Sequence, residues 1–340
     1  MLKDKIIKII NKKSFIYLDE FLKIAHQDEK LGYYTTQNPI GKKGDFITAP
    51  EVSQLYGEII ALKIIDKVKQ NKIKKFELIE LGPGKGTLMR DIIRVFNKSL
   101  EKEIDYSVNF VEINKKYRSE LKNEFSNSKI LYKIKNLGDN YSIFIANEFF
   151  DCLPMSQISL VNGELYETTI KVKNKSKLVF DKSSARKNIV YKIGHQLKEG
   201  EIYEYSEETI QIFNEIAEII KNTGGYLLIA DYGYIKPNMI NSLQSLKNNK
   251  YTEVLSNIGK QDITYHVNFI QLLNVAKKHD LKNINISSQS NFLQTNGINV
   301  RAEKLIVSNP KFKNKILDQL SRLTDQDKMG KLFKIFEAEY

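Results

Sequence analysis

The sequence predicts an α/β fold: a mostly parallel sheet with helices on both faces, preceded by a helical cap. Three observations predict it. From residue 76, short apolar runs alternate with helical patterns in the order of βαβ units: "FELIEL", a helix from Thr87, "YSVNFVEI", a helix from Lys115, "KILYK" and "YSIFIANEF". A glycine-rich turn, "LGPGKGT", joins the first of these strands to its helix. The strand pattern resumes with "GGYLLIADYG", after a helix that starts near Ser206 with acids in its first turn, where they suit the helix dipole.

The remaining elements follow in chain order. Residues 3 to 10 and 15 to 26 place apolar side chains at helical spacing (Phe15, Leu18, Phe21, Leu22, Ala25), and "LGYYTTQNPIGKKGDF" is a glycine-punctuated loop. In "GDFITAPEVSQLYGE", residues 44 to 58, the apolar positions fit neither strand nor helix until Val52, from which a helix runs to about Gln70. "SQISLVNGELYETTIKV" alternates around Asn162-Gly163, a strong hairpin signal, and "KVKNKSKLVFDKSSARKN" reads as a solvated excursion. After Gly233 a polar, mostly helical segment is expected to residue 280, then "FLQTNGINVRAEKLI" and a final helix. The expected organisation is a helical cap and lid over 1–70, a ligand-binding core over 71–235 with a hairpin insertion at about 156–200, and a C-terminal part over 236–340 that completes the sheet and the substrate face.

Composition narrows the function. A chain of 340 residues, 41% apolar and 10% aromatic, can bury a large core and is neither disordered nor collagenous. The formal charge is +12, yet only six of the 53 basic residues are Arg and no basic stripe is interleaved with stacking aromatics, so nucleic acid is not the expected partner. Cys152 is the only cysteine, which excludes an intramolecular disulfide and a thiolate zinc site, and the four histidines form no HExxH pair. No metal is expected. The N-terminal "MLKDKIIKIINKKS" lacks the long apolar core and cleavage site of a secretory signal, and no apolar run approaches a membrane span. The expected compartment is the cytoplasm, or the mitochondrial matrix if the source is eukaryotic.

The site chemistry centres on "ELIELGPGKGTLMRDII". Gly82, Gly84 and Gly86 permit a tight turn and let a ligand approach the backbone beside a helix N-terminus. A dinucleotide fingerprint would place its third glycine at Thr87, and a phosphate-cradling loop would follow Lys85 with Ser or Thr rather than Gly86, so neither pattern holds. The next strand ends "FVEINKKY", where Glu112 either accepts ribose hydroxyls or simply opens a helix. In "ANEFFDCLP", Asn147, Glu148 and Asp151 emerge at the carboxyl edge, where open α/β sheets bind ligands.

The acid-x-Gly-x-Gly-x-Gly order resembles motif I of class I S-adenosylmethionine-dependent methyltransferases, whose ligand is cationic and lacks phosphate, consistent with Glu80 at the strand end. Together with "GYY…GKKGDFITAPEVSQLYGE", "NEFFDCLP", "LIADYG", "DITYHVNF", "FLQTNGINVRAEKL" and "DKMGKLFKI", spread from about residue 30 to 335, the chain resembles the MidA-like family. That resemblance implies a class I, Rossmann-like methyltransferase fold binding S-adenosyl-L-methionine. It also implies arginine methylation of a core subunit of respiratory complex I, the activity of the mitochondrial members.

Carried over by the resemblance, residues 44 to 58 form a lid with Asp45, Thr48, Pro50 and Glu51 facing the cofactor, beside Glu80, Gly82, Gly84, Gly86, Glu112 and Asn147. Glu148 and Asp151 would grip two nitrogens of a guanidinium and aim the third at the methyl, with Phe149 or Phe150 shielding the cation. His266 either orients the target and takes a late proton or is a hydrogen-bonded structural residue, and Cys152 is a small packed residue beside the site. The family often has a tryptophan on the hairpin after "NEFFD", whereas this chain has none. The expected partner is a protein substrate, with no membrane insertion and with a homodimer as one assembly. The other readings are a methyltransferase for a different target and a non-catalytic assembly chaperone that keeps the fold.

Overall fold

The computed structural model describes residues 1–41, 44–134, 137, 140–193, 197–235 and 241–340. The chain opens with α1 (Leu2–Lys13), the short strand β1 (Ile16–Tyr17), α2 (Leu18–Gln27), the single turns α3 (Tyr33–Thr36) and α4 (Ala49–Val52), and α5 (Gln54–Gln70). A βαβ run follows: β2 (Lys75–Leu81), α6 (Thr87–Ser99), β3 (Asp105–Val111), α7 (Lys115–Glu124), β4 (Lys129–Leu131) and β5 (Tyr141–Asn147). An antiparallel excursion comes next, with β6 (Ser156–Val161), β7 (Glu164–Lys173), β8 (Lys177–Ser184), α8 (Lys187–Ile193) and β9 (Ile202–Tyr205). The chain returns through α9 (Glu207–Thr223), β10 (Gly225–Tyr234), β11 (Gln244–Lys247), β12 (Lys250–Tyr251), β13 (Asp262–Thr264), β14 (Val267–Asn268) and α10 (Phe269–Lys278). It closes with β15 (Lys282–Ser288), α11 (Gln289–Thr295), α12 (Ile298–Ser308), α13 (Lys313–Thr324), α14 (Met329–Leu332) and β16 (Phe333–Glu339).

The central sheet has the order β15-β16-β10-β5-β2-β3-β4. Pairing is parallel from β10 to β4, while β16 runs antiparallel to both β10 and β15. The strand order reverses between β5 and β2, so the switch-point crevice lies beyond their carboxyl ends. Because both faces are covered, the inner strands are near-continuous apolar runs. Leu78, Ile143 and Leu228 face α5, α6 and the C-terminal helices, while Ile79, Phe144 and Leu227 face Phe213 and Ile216 of α9 and Leu272 of α10. The cap packs elsewhere: Ile6, Leu18, Phe21 and Leu22 of α1 and α2 form a third core with Ile170 and Leu178 of the excursion and with Ile263 and Tyr265.

The 44–58 stretch fits no single period because it breaks in two. Pro50 opens the α4 turn, and Ser53 then caps α5 by accepting the N–H of Leu55 at 3.3 Å. Lys42 and Lys43 of the preceding loop lie outside the described residues.

Two expectations fail. The segment between Gly233 and residue 280 is not mostly helical: β11, β12 and β13 form a small sheet, and β14 pairs in parallel with the end of β10. Residues 236–240 lie outside the described residues. The strand signal is hidden because the small sheet hydrogen-bonds polar side chains across itself, as Ser245 to Thr252 at 3.0 Å. The last described element is also a strand, β16, not a helix. The Lys-rich excursion is solvated as expected, with most of β8 exposed, and it forms a hairpin in which β8 pairs with β7 from Tyr166–Ser184 to Lys173–Lys177.

Candidate active site

A cavity of about 480 Å³ opens at the carboxyl ends of β2, β3 and β5. Its floor is the glycine turn. Gly82 and Gly84 adopt φ of 62° and 52°, and a Cβ would lie 2.8 Å from the Phe149 ring at Gly82 and 2.3 Å from the Ile40 side chain at Gly84. Gly86 faces the other way, where a Cβ would meet Leu121 of α7 at 2.9 Å, so it serves helix packing and does not line the cavity.

Glu80 lines the floor with its Oε2 buried and without a partner among the described residues, and burial, then the neighbouring Glu112, push its carboxyl up to about 8. A bare acceptor in an apolar wall disfavours its own charge until a cation arrives. The site therefore fits a ligand that carries sulfonium and ammonium groups. Glu112, pushed up to about 7 by burial, accepts the N–H of Gly84 at 3.2 Å and of Asn114 at 2.7 Å. Each of its oxygens keeps a lone pair that a ribose hydroxyl can use.

The roof is the predicted lid. Thr48, Pro50 and Glu51 line the cavity together with Phe46. Thr87 at the start of α6 donates to Glu51 Oε1 at 2.5 Å, and the Ala49 N–H donates to Glu148 Oε1 at 3.1 Å. Asn114 adds a third tie, donating to the carbonyls of Tyr34 at 2.8 Å and Gln37 at 2.9 Å. Asp45 lies off the cavity wall, where it accepts from Tyr33 Oη at 2.6 Å and the Asn248 N–H at 2.7 Å. In this structure it anchors the lid's outer edge and has no cavity-facing role.

The wall opposite Glu112 is the turn after β5. Asn147 accepts from Tyr56 Oη at 2.7 Å and donates to Glu148 at 3.3 Å. Glu148 adopts φ of 49°, a left-handed conformation uncommon for a non-glycine residue. What holds it there is Asp231 at the end of β10, whose Oδ2 accepts the N–H groups of Phe149, Phe150 and Asp151 at 3.2, 2.9 and 3.3 Å. Burial and then Asp151 push the Glu148 carboxyl up to about 8. Asp151 lies behind the wall rather than on it, buried, pushed up to about 6 by desolvation and bonded to Tyr232. Asp262 of β13, bonded to Tyr34 Oη, is pushed up to about 8 by burial and by Asp151. Glu148, Asp151, Asp231 and Asp262 thus form a buried acidic group that a cation at Glu148 would relieve.

Of the two phenylalanines, Phe149 lines the cavity and Phe150 is core. Cys152 lines the wall with its Sγ donating to the Phe149 carbonyl at 3.3 Å, and burial pushes the thiol up, away from reactivity. His266 does not reach the cavity. Its N–H donates to Ser242 Oγ at 2.8 Å and its ring meets Tyr232 edge-on at 5.8 Å.

Sequence reasoning missed Asp231, Asp262 and His26. His26 of α2 lines the cavity, fully buried, with Nδ1 2.8 Å from the Cys152 carbonyl. That contact puts the proton on Nδ1 and leaves Nε2 an acceptor, which is buried without a partner among the described residues. Among the described residues, no group of three or more His, Cys, Asp or Glu is placed to hold a metal, and no helix is long and apolar enough to cross a membrane.

Comparison with known proteins adds to this geometry. Residues 59–287 match the family described as "Putative S-adenosyl-L-methionine-dependent methyltransferase". The mitochondrial protein arginine methyltransferase NDUFAF7 of Mus musculus is 28% identical over 354 residues, covering 94% of this chain and 80% of its own. The Danio rerio protein of that name is 29% identical, covering 95% and 83%. In three dimensions the chain superposes with a TM-score of 0.86 on a candidate methyl transferase from Burkholderia thailandensis bound to S-adenosyl-homocysteine, over 100% of this chain and 92% of the other. At 18% identity that likeness establishes the fold.

Proposed function

Because the chain belongs to this family of S-adenosyl-L-methionine-dependent methyltransferases, with its class I Rossmann-like fold, we propose that it methylates an arginine side chain of a protein. The target we propose is a subunit of a respiratory NADH dehydrogenase, and the compartment the cytoplasm. The observation that carries the arginine reading is the match, over nearly the whole chain, to relatives named protein arginine methyltransferases. The buried acid on the cavity wall, Glu148, supports it.

When bound, S-adenosyl-L-methionine supplies a methyl group already activated by its sulfonium. Everything else falls to the chain. Gly82 and Gly84 let the ligand reach the backbone, Glu80 meets its positive charge, Glu112 accepts from its ribose, and Thr48, Pro50 and Glu51 close over it as part of a cap spanning residues 1–70. A guanidinium stays protonated in water, so its nitrogen must be oriented and its charge held. Glu148 accepts from two of its N–H groups, Asn147 fixes Glu148, Phe149 supplies a ring face, and Asp151 acts through Tyr232 and Asp231 from behind. The lid excludes water and strengthens these contacts.

The test is to incubate the protein with isotopically labelled S-adenosyl-L-methionine and host lysate, then identify the labelled band. A labelled NADH dehydrogenase subunit carries the reading. A different labelled protein removes the proposed target, and label in small molecules alone removes the protein substrate.

A further inference from the structure

The cavity is also lined by the end of α2 and by α9, with Lys23, Gln27 and Glu29 from one side and Glu208, Gln211 and Glu215 from the other. The three α9 residues lie at i, i+3 and i+7, on one helix face. Among the described residues this mouth carries three carboxylates against one ammonium, and the ammonium is engaged, since Lys23 Nζ lies 3.5 Å from Glu208. The sign is opposite to that of the whole chain, at +12. Gln27 also donates to Glu208 at 2.9 Å, so α2 and α9 are bridged at the rim and the opening has defined walls.

Below the rim sits the second, independent observation. His26 is buried on the cavity wall, its tautomer fixed by Cys152, and its Nε2 lone pair lacks a donor among the described residues. Burying an acceptor without a donor is costly, and on this wall an arriving segment can supply the donor. Rim carboxylates, His26 and Glu148 therefore offer acceptors along the same cavity.

We propose that the α2–α9 mouth is the substrate entrance and that it binds a cationic, extended polypeptide segment. Glu29, Glu208 and Glu215 meet the basic side chains that flank the target residue, and His26 accepts a hydrogen bond from the segment as it passes to Glu148. This rests on the proposal that the substrate is a protein, and it adds where that protein docks and with which charge.

The test uses two fluorescent peptides, one arginine flanked by glycines and lysines, and the same peptide with citrulline for arginine. Binding is followed by anisotropy to the full-length protein saturated with S-adenosyl-homocysteine. The arginine peptide should bind more tightly than the citrulline peptide and weaken steeply from low to high salt, because exposed charges are screened. The pair Glu208→Gln with Glu215→Gln should weaken it about fivefold, as should His26→Phe, with S-adenosyl-homocysteine affinity within about twofold of the original. Glu215→Gln alone, at an exposed position, keeps the test valid if Glu208→Gln loosens the α2–α9 bridge. Binding that does not weaken with salt, or rim variants that bind as the original does, overturns the entrance. The two proposals fail separately: methyl found on another residue type with rim-dependent peptide binding removes the arginine target alone, whereas methylarginine with rim-independent binding removes the entrance alone.

Discussion

Glu148 accepts the backbone N–H of Ala49 at 3.1 Å, so the residue proposed to grip the substrate also holds down the lid. Glu148→Gln separates these tasks. The amide oxygen can still accept from Ala49, but the charge is gone and two donors now face a cationic target. Turnover should fall by about thirty- to a thousandfold, the equivalent of roughly 2–4 kcal/mol, with cofactor affinity nearly unchanged. Normal turnover would remove Glu148 from the mechanism.

The lid makes a second prediction. Glu51 is tied to Thr87 and Asp45 to Tyr33 and Asn248, each a contact worth about 1 kcal/mol. Glu51→Ala and Asp45→Ala should therefore shift the melting temperature by only a few degrees while lowering turnover at least about tenfold. A large drop in melting temperature with unchanged turnover would show these residues to be connectors of the core.

Asp231 holds three successive amides of the Phe149–Asp151 turn on one buried oxygen. In Asp231→Asn the amide group must either present N–H to those donors or keep one oxygen without charge. The turn should relax, Glu148 should leave its left-handed conformation, and kcat should fall by more than about tenfold. S-adenosyl-homocysteine titration should give an affinity within about threefold of the original, because the glycine turn is untouched. Equal losses in kcat and cofactor affinity would mean that Asp231 supports the whole site rather than this turn.

Gly84→Val should abolish cofactor binding. A β-branched residue would have to take φ of 52° and place its Cβ 2.3 Å from Ile40, displacing the lid loop as well as filling the ligand's approach. Preserved affinity in a calorimetric titration would reduce the turn to a structural bend.

The acids also predict the response to pH. Glu80 and Glu148 are pushed up to about 8 and Glu112 to about 7, so above the ordinary carboxylate range the folded state holds protons that the unfolded chain has released. Stability must then fall as pH rises toward 8. His26, pushed down to about 4, acts oppositely but only below its ordinary value of 6.5. Between pH 6.5 and about 8 the ligand-free protein should lose melting temperature, and saturating S-adenosyl-L-methionine, by supplying the cation, should flatten the slope. A melting temperature that rises across this window contradicts the buried-acid description.

How much of this could be read from sequence depends on how local each cause is. The β2 strand, the glycine turn and α6 were legible because Glu80, the glycine spacing and the buried face of Leu88, Met89, Ile92 and Phe96 sit within one short segment. "NEFFD" was legible as a strand end carrying acids. Its geometry was not, because Asp231 comes from a strand more than 80 residues later. Asp262 was passed over in "DITYHVNF" for His266, since a histidine draws attention while an acid that will be buried looks like any surface acid. β16 escaped because it is a strand through its neighbours β10 and β15, not through its own alternation.

The most direct measurement is the position of the transferred methyl. Mass spectrometry of the protein labelled by the original enzyme should place the methyl groups on arginine nitrogens alone, and the Glu148→Gln enzyme should lose that signal while still binding S-adenosyl-homocysteine. Methyl on lysine or glutamine, or undiminished methylarginine from the Glu148→Gln enzyme, would contradict the account.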